Sequence, residues 1–256
     1  IVRAGGHTPD EWLRGAPRGR EWRTGGLVRY EVLRAGRPLV LDIRLAPVPT
    51  VAVLGRWIPQ TIIGIAFFLI GTLVLRKRPR EPAARILMLF CASVALQYWG
   101  DAYNLQFATL PWRWPFWLHV ALEHASYGLS IGSICVFALV FPLVHPWVQR
   151  FPRLAPATVM AVYPLATLTA MLLSPTPSAA LRVGNHVAWG VALCGVALSV
   201  GVAMRSARVA RDPLARVQLH WMLWAATIGA SVLLPGYVVP LLAGRRPLVQ
   251  HPVVML

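Results

Sequence analysis

The chain has 256 residues, of which 57% are hydrophobic and only 13% are charged, about half the charged fraction of an average soluble domain. This composition excludes a disordered chain and an ordinary soluble globule, and it indicates a multispanning membrane protein with the lipid bilayer as partner. The net charge of +16 would also suit nucleic-acid binding, but the basic residues are placed along the chain as in a membrane protein, so no nucleic acid is expected.

Residues 1–47 contain no segment long enough to cross a membrane. Thr8 has the signature of a capped helix start, with proline next and glutamate three residues later. Residues 27–34 and 39–45 alternate apolar and polar side chains on either side of an Ala-Gly turn, which predicts a β-hairpin. The sequence therefore predicts a small, water-facing α+β module over residues 1–47, followed by a linker over residues 48–56.

Six apolar stretches follow, each close to the length of about 20 residues that crosses a bilayer. The predicted spans are 57–75, 86–100, 116–141, 155–173, 187–204 and 219–242, with the start of a further span at 253. Pro82, Pro156 and Pro213 suit the first position of a helix and predict three of the helix starts. The expected fold class is mostly α: a polytopic transmembrane helical bundle of six spans, a seventh truncated, after the α+β module. Because the chain starts at Ile1 and stops within an apolar run, we expect a piece of a longer protein.

Lysine and arginine in the loops predict the orientation of the spans, because cytoplasmic loops are enriched in both residues. The loops after the first, third and fifth spans carry Arg76, Lys77, Arg78, Arg80, Arg85, Arg150, Arg153, Arg205, Arg208, Arg211 and Arg216. The intervening loops carry only Arg113, Arg182, Arg245 and Arg246. Residues 1–56 are therefore predicted to lie outside the cytoplasmic membrane.

Ionisable side chains within a span are costly, and they often mark functional positions. The third span holds His119, Glu123 and His124, and the first two share a helix face because they are four residues apart. Asp101, which ends the second span, and Arg113 in the next loop complete a candidate signal-sensing cluster near the outer face. Two interpretations stay open: a pocket that senses a ligand, pH or a metal, and an interhelical hydrogen-bond cluster that only fixes packing.

No metal and no catalytic residue is assigned from the sequence. The two histidines of the third span are five residues apart, whereas the H-E-x-x-H motif of zinc proteases places them four apart. Ser130 and Ser133 are interpreted as small residues at a helix contact. A second candidate site, for coupling to a cytoplasmic domain, consists of Arg216, Gln218 and Trp221 near the start of the sixth span. Interfacial anchoring is the alternative interpretation there.

Several short strings resemble one family. Residues 1–9, 26–30 and 32–43 resemble the second half of a bacterial PDZ domain, whose pattern reads I-x-x-V-x-G-x-P-V, then G-x-x-V-x-x-x-V-x-R-x-G-x-x-x-x-x-x-V. A PDZ module followed by a multispan bundle is similar to the sensor region of ComP-like bacterial histidine kinases. Phe141-Pro142 resembles the F-P exit of the third span in that family, and residues 216–221 resemble its R-x-Q-x-x-W entry.

The resemblance implies the membrane-embedded signal-input region of a two-component sensor histidine kinase in the bacterial cytoplasmic membrane. It implies a homodimer in the full-length protein and a cytoplasmic response regulator as partner. No cofactor is expected in this fragment, since ATP and Mg belong to the missing kinase domain. The alternatives are a sensor bundle with a different output domain, a small-solute transporter and an intramembrane protease. Scarce ionisable residues in the last three spans argue against the transporter, and the histidine spacing argues against the protease.

Overall fold

The computed structural model describes residues 2–34, 36–47, 50–103, 113–233 and 239. The elements are β1 (Arg3–Ala4), α1 (Pro9–Arg14), β2 (Leu27–Arg34), β3 (Arg37–Arg44), α2 (Thr50–Lys77), α3 (Pro82–Tyr103), α4 (Arg113–Val140), α5 (Pro146–Arg150), α6 (Leu154–Leu172), α7 (Pro177–Val209) and α8 (Pro213–Leu233). The fold is mostly helical with one small sheet, as the sequence predicts. Five of the described helices, α2, α3, α4, α6 and α7, are long and apolar enough to cross a membrane. The chain is therefore a membrane protein.

The first five predicted spans lie within these helices, apart from one residue at the end of the third and of the fourth. The helices also extend beyond most of the predicted boundaries. Helix α2 begins at Thr50, so residues 50–56, assigned to the linker from the sequence, are helical. Helix α7 begins at Pro177, ten residues before the predicted span. Its early start has a local cause, because the Thr176 hydroxyl accepts a hydrogen bond from the Ala179 N–H and Pro177 occupies the first helical position.

Two of the three prolines expected at helix starts occupy that position. Helices α3 and α8 begin at Pro82 and Pro213, and the Asp212 carboxylate accepts hydrogen bonds from the first free N–H groups of α8. The expectation for Pro156 was wrong, because α6 begins at Leu154. Proline is tolerated at the third helical position since the N–H groups of the whole first turn have no intrahelical partner.

The last predicted spans fall partly or wholly outside the described residues. Helix α8 covers the predicted sixth span as far as Leu233. Apart from Val239, the rest of that span is not described, and neither is the start of a further span at 253. The count of six spans therefore stays a prediction.

The N-terminal module, residues 2–47, is built on an antiparallel sheet in the order β1-β2-β3. The predicted hairpin is confirmed: Val28 pairs with Ile43 across the two long strands, and Gly36 provides the turn with a φ of +77°. Val28 and Tyr30 point into the core, and burial raises the pKa of the Tyr30 phenol. Strand β3 is the edge of the sheet, and all of its side chains are exposed.

Helix α1 is short, and its N-terminus is fixed by a capping box. The Thr8 hydroxyl accepts a hydrogen bond from the Glu11 N–H, and the Glu11 carboxylate accepts one of 2.7 Å from the Thr8 N–H. The Thr8 N–H and, to a lesser extent, the Thr8 hydroxyl stabilise the Glu11 carboxylate, and so they hold the pKa of that carboxyl below its ordinary value. The capped start predicted at Thr8 is thus confirmed, and it orients the residues that follow it in α1.

Helix α4 is the centre of the bundle. It packs against α3 on one side and against α6 and α7 on the other, while α2 packs on α3 and α8 on α7. Within its membrane-spanning window 39% of the residues are buried, against 11% for α2, so α4 is the most buried of the five candidate membrane spans and α2 lies at the rim. The N-terminal module contacts the bundle at one end, called here the module end, where α4 and α7 begin.

Candidate functional site

The N-terminal module shares its hydrophobic core with the bundle. Trp12 and Leu13 of α1 are buried in one cluster with Phe116 and Val120 of α4. Met171 of α6 and Leu181 of α7, both partly buried, pack against the same cluster. The Trp12 indole N–H donates a hydrogen bond of 2.9 Å to the Ala4 carbonyl, so its polar atom is satisfied within this core. The module is therefore packed on the three helices α4, α6 and α7.

A polar contact joins the same two parts of the chain. The Asp10 carboxylate accepts a hydrogen bond of 2.8 Å from the Ser178 N–H and a second one of 2.9 Å from the Ser178 hydroxyl. Ser178 is the second residue of α7, where a backbone N–H has no partner within the helix. A carboxylate at this end also complements the helix dipole. Asp10 thus caps a membrane helix from a position 168 residues earlier in the chain.

A cavity of about 80 Å³ lies between α4, α6 and α7, below the module. Its lining consists of Glu123, His124, Tyr127, Ile131, Tyr163, Asn185, Ala188, Trp189 and Ala192. Glu123 is ten residues into α4, about 15 Å along the helix axis at 1.5 Å per residue. The cavity therefore lies within the length of the membrane-spanning helices, and it combines a carboxylate, an imidazole and an amide with three aromatic rings.

Small residues leave room for this cavity, and they also allow α4 and α6 to approach closely beside it. Gly128 of α4 lets α6 approach, since a Cβ at that position would be 2.9 Å from Cδ1 of Tyr163. Tyr163 is buried, and it lines the cavity together with Glu123. On α7, Ala188 and Ala192 are one turn apart and leave room where larger side chains would fill the space.

The structure brings together only part of the cluster predicted from the sequence. Glu123 and His124 both line the cavity, although about 100° of helix rotation separates them. His119 is half-buried beside α3, where a Cβ on Gly100 would be 3.9 Å from its ring. Asp101 ends up within α3 and Arg113 at the first position of α4 rather than in a loop, and their side chains lie outside the described set.

The structure adds one observation that favours a sensing pocket and one that favours a packing role for polar residues of α4. Nδ1 of His124 is buried and has no hydrogen-bond partner among the described residues, which favours a role beyond packing. Ser130, by contrast, accepts a hydrogen bond of 2.6 Å from the Gln97 side chain of α3. That bond confirms the interpretation of Ser130 as a residue at a helix contact.

Sequence analysis did not assign seven of the nine lining residues to a site, and four of these seven are polar or aromatic: Tyr127, Tyr163, Asn185 and Trp189. Tyr127 had a detectable signal, because it follows Glu123 by four residues and so shares its helix face. Tyr163 and Trp189 lie on other helices, and only the packing of α6 and α7 against α4 brings them to the cavity. Asn185 was placed in a loop, whereas the longer α7 carries it into the bundle.

The predicted coupling residues lie near the start of α8. The Arg216 guanidinium donates a hydrogen bond of 2.7 Å to the Ala210 carbonyl, which ties α8 to the end of α7. Gln218 is half-buried, and Trp221 is 72% exposed, so its ring faces away from the bundle. That exposure favours the anchoring interpretation for Trp221, while the contact made by Arg216 fits a link between helices.

Among the residues that the structure describes, no group of three or more His, Cys, Asp or Glu side chains could hold a metal ion. Comparison of the chain with protein-family models, with curated proteins and with solved structures gives no match.

Proposed function

We propose that the chain is the membrane-embedded signal-input region of a bacterial two-component sensor histidine kinase. In this proposal the N-terminal module is PDZ-like and lies outside the cytoplasmic membrane. The bundle passes an external or intramembrane signal to a cytoplasmic kinase, which acts as a homodimer on a response regulator. ATP and Mg belong to that kinase.

One observation carries the proposal: the three helices on which the module packs also line the cavity. Trp12 of the module is buried against Phe116 of α4, and Asp10 caps α7. Glu123 and Trp189, further along those two helices, line the cavity. A change at the module or in the cavity would therefore bias the packing of α4 against α7, and a biased equilibrium between two packings is what a membrane sensor requires.

The distribution of charge supports the proposed orientation. Arg76 and Lys77 end α2, and Arg208 lies in the last turn of α7. Because α2 and α7 both begin at the module end, these basic residues lie at the opposite end of the bundle. Basic residues favour the cytoplasmic side, which supports an outside position for the module.

The test measures whether the Asp10 contact affects the far end of the bundle. Spin labels are attached through Lys77→Cys and Arg208→Cys, at the ends of α2 and α7, after the native cysteines have been replaced. Double electron–electron resonance then compares Asp10→Ala with the labelled parent in lipid nanodiscs. We expect Asp10→Ala to shift the distance distribution by about 1–2 Å, the size of helix movements in switching proteins.

The matched control is Asp42→Ala, which removes another aspartate of the module. Asp42 accepts a hydrogen bond from Arg29 at the surface of the sheet and lies on the exposed strand β3. It should leave the distribution unchanged. If Asp10→Ala gives the same distribution as Asp42→Ala and the parent, the contact does not reach the far end, and the signal-input function is contradicted.

A small-solute transporter is the second candidate, because the cavity between α4, α6 and α7 places a carboxylate, an imidazole and an amide within the bundle. A transporter would move a solute across proteoliposomes that contain the chain, and Ala188→Leu, which fills the cavity, would stop the flux. A sensor bundle gives no flux above that of empty liposomes.

A further inference from the structure

The two long strands of the module carry different side chains on their two faces. Residues directly opposite each other in an antiparallel pair share a face, and side chains alternate between the faces along each strand. The register therefore places on one face, called here the core-side face, the side chains of Val28, Tyr30, Val32, Arg34, Arg37, Leu39, Leu41 and Ile43. Val28 and Tyr30 are buried in the core that the module shares with α4. Leu39, Leu41 and Ile43, by contrast, are 40%, 39% and 43% exposed, so the core-side face extends past the protein that covers its β2 half.

The charges of the hairpin are separated between its faces. The acidic residues of β2 and β3, Glu31 and Asp42, both lie on the opposite face, where Asp42 accepts a hydrogen bond from Arg29. The core-side face instead carries Arg34 and Arg37, which are directly opposite each other. Like charges in such a pair repel, and within the described part of the chain neither guanidinium group forms an ion pair. The core-side face of the hairpin therefore combines an exposed apolar row with positive charge at one end.

The core-side face is directed toward the bundle. Helix α1 contacts α4 and α7, and its Trp12 is buried in one core with Val28 of the sheet and Phe116 of α4, so α1 lies between the sheet and the bundle. Phe116 is two residues inside the apolar stretch of α4 that begins at Trp114, about 3 Å along the helix axis. The module therefore lies near the headgroup layer, which is about 5–8 Å thick on each side of a bilayer. The exposed row on β3 points to the membrane surface beside the bundle.

The chain itself ties β3 to the membrane. Strand β3 ends at Arg44 and helix α2 begins at Thr50, so the two ends are at most about 22 Å apart even if the chain between them is fully extended. The apolar stretch of α2 begins at Trp57, about 10 Å further along the helix. One end of the strand is therefore held close to the bilayer.

We propose that the core-side face of the hairpin docks on the anionic surface of the lipid bilayer at the module end. The apolar row of Leu39, Leu41 and Ile43 lies among the headgroups, and the guanidinium groups of Arg34 and Arg37 bind lipid phosphates. A second copy of the chain fits this face less well, because it would add two arginines and no carboxylate to the contact. The direction of the face and its tie to α2 favour lipid over an acidic protein. This inference goes beyond the proposed function and does not depend on the output of the bundle.

The test uses the whole chain in nanodiscs that contain one chain each, after the native cysteines have been replaced. A nitroxide label is attached through Leu41→Cys on the core-side face. The matched control is Val40→Cys, its neighbour on the opposite face, which is 55% exposed. Power saturation with a water-soluble nickel chelate measures how far lipid shields each label. In phosphatidylglycerol nanodiscs we expect shielding at position 41 and free access at position 40. Equal access at both positions would overturn the proposal.

The charge of the face is tested by combining Arg34→Gln with Arg37→Gln in the Leu41→Cys protein. The matched control combines Arg29→Gln with Arg44→Gln, which removes two exposed arginines from the opposite face. An arginine near an anionic surface favours docking about fivefold, so loss of Arg34 and Arg37 should lower the ratio of docked to undocked hairpin about 30-fold. The phosphatidylglycerol fraction that gives half-maximal shielding in mixtures with phosphatidylcholine should rise accordingly. An equal shift in the control, or no shift in either protein, would contradict the assignment.

The same label distinguishes the other possible occupants of the face. Shielding that appears only in nanodiscs with two chains would assign the face to a second copy. Access at position 41 in every lipid mixture would leave the face to a protein partner. Either result overturns the lipid proposal, whereas the distance change in Asp10→Ala tests the sensor function separately.

Discussion

Small residues bring the helices together in two parts of the bundle, and the two contacts differ. In the pair α2 and α3, glycines meet large side chains directly: a Cβ on Gly64 would be 2.7 Å from the Trp99 indole nitrogen, and one on Gly71 would be 3.0 Å from the Met88 sulfur. In the group α4, α6 and α7, called here the cavity group, Gly128 also meets a large side chain directly, that of Tyr163, but Ala188 and Ala192 leave a space beside this contact that is lined by polar and aromatic side chains.

The difference shows where a membrane protein tolerates polar groups. A carboxyl group and an imidazole in lipid are costly unless protein or water surrounds them. Three helices enclose Glu123 and His124, and the N-terminal module covers the end of the same helices. Two helices at the rim could not enclose such groups, and their contact is accordingly close. Function is therefore expected in the cavity group, and membrane anchoring in the α2–α3 pair.

The largest loss of stability is expected from Trp12→Ala. It removes a side chain that is 1% exposed and joins the module to the cavity group, and deletions of buried aromatic residues cost about 3–5 kcal/mol. Trypsin should then cleave the module's arginines much faster than in the parent. The matched control is Trp221→Ala, since that ring is 72% exposed and its loss should change stability by less than about 0.5 kcal/mol. Equal cleavage rates in both variants would show that the shared core contributes nothing.

An intermediate effect is expected from Gly128→Ala. The new methyl group would lie 2.9 Å from Tyr163, and overpacking of this kind costs about 1–3 kcal/mol. Gly190→Ala is the control, because no atom lies within 4 Å of a Cβ there, and alanine should stabilise α7 by up to about 1 kcal/mol. Thermal denaturation in detergent measures both. A melting temperature for Gly128→Ala at or above that of Gly190→Ala would contradict the close approach of α4 and α6.

The smallest effect on stability is expected at the contact between α3, of the α2–α3 pair, and α4, of the cavity group. Gln97 of α3 donates hydrogen bonds to the Ser126 carbonyl and the Ser130 hydroxyl of α4. Hydrogen bonds between membrane helices average only about 0.6 kcal/mol. A double-mutant cycle of Gln97→Leu with Ser130→Ala should return a coupling energy of about that size. A value indistinguishable from zero would show that this bond does not hold α3 to α4.

The sequence predicted those features of the fold that depend on local chemistry. The capping box at Thr8, the hairpin turn at Gly36 and the apolar stretches were readable because each depends on residues that are close together in the chain. The long α7 was not predicted, because its first turns are less apolar than a membrane core requires. Asp10, which caps those turns, lies 168 residues away.

The candidate site was predicted only in part for a related reason. Glu123 and His124 stood out as ionisable residues within a span, and the structure places both at the cavity. Tyr163 and Trp189 have no such signal, since aromatic residues are ordinary in membrane helices. Their role depends on how close α6 and α7 come to α4, which small residues such as Gly128 decide. Contacts between distant segments cannot be read from hydrophobic periodicity.

Native-state hydrogen exchange of the parent protein in nanodiscs tests most directly whether the module and the cavity group form one unit. Segments that open together share one free energy of opening. The expected result is a common value for the amides of α1 and for those of residues 181–189 in α7, and a different value for the α2–α3 pair. If the amides of α1 exchange at a much lower free energy than residues 181–189, the module opens by itself. The structural basis of the proposed signal input would then be wrong.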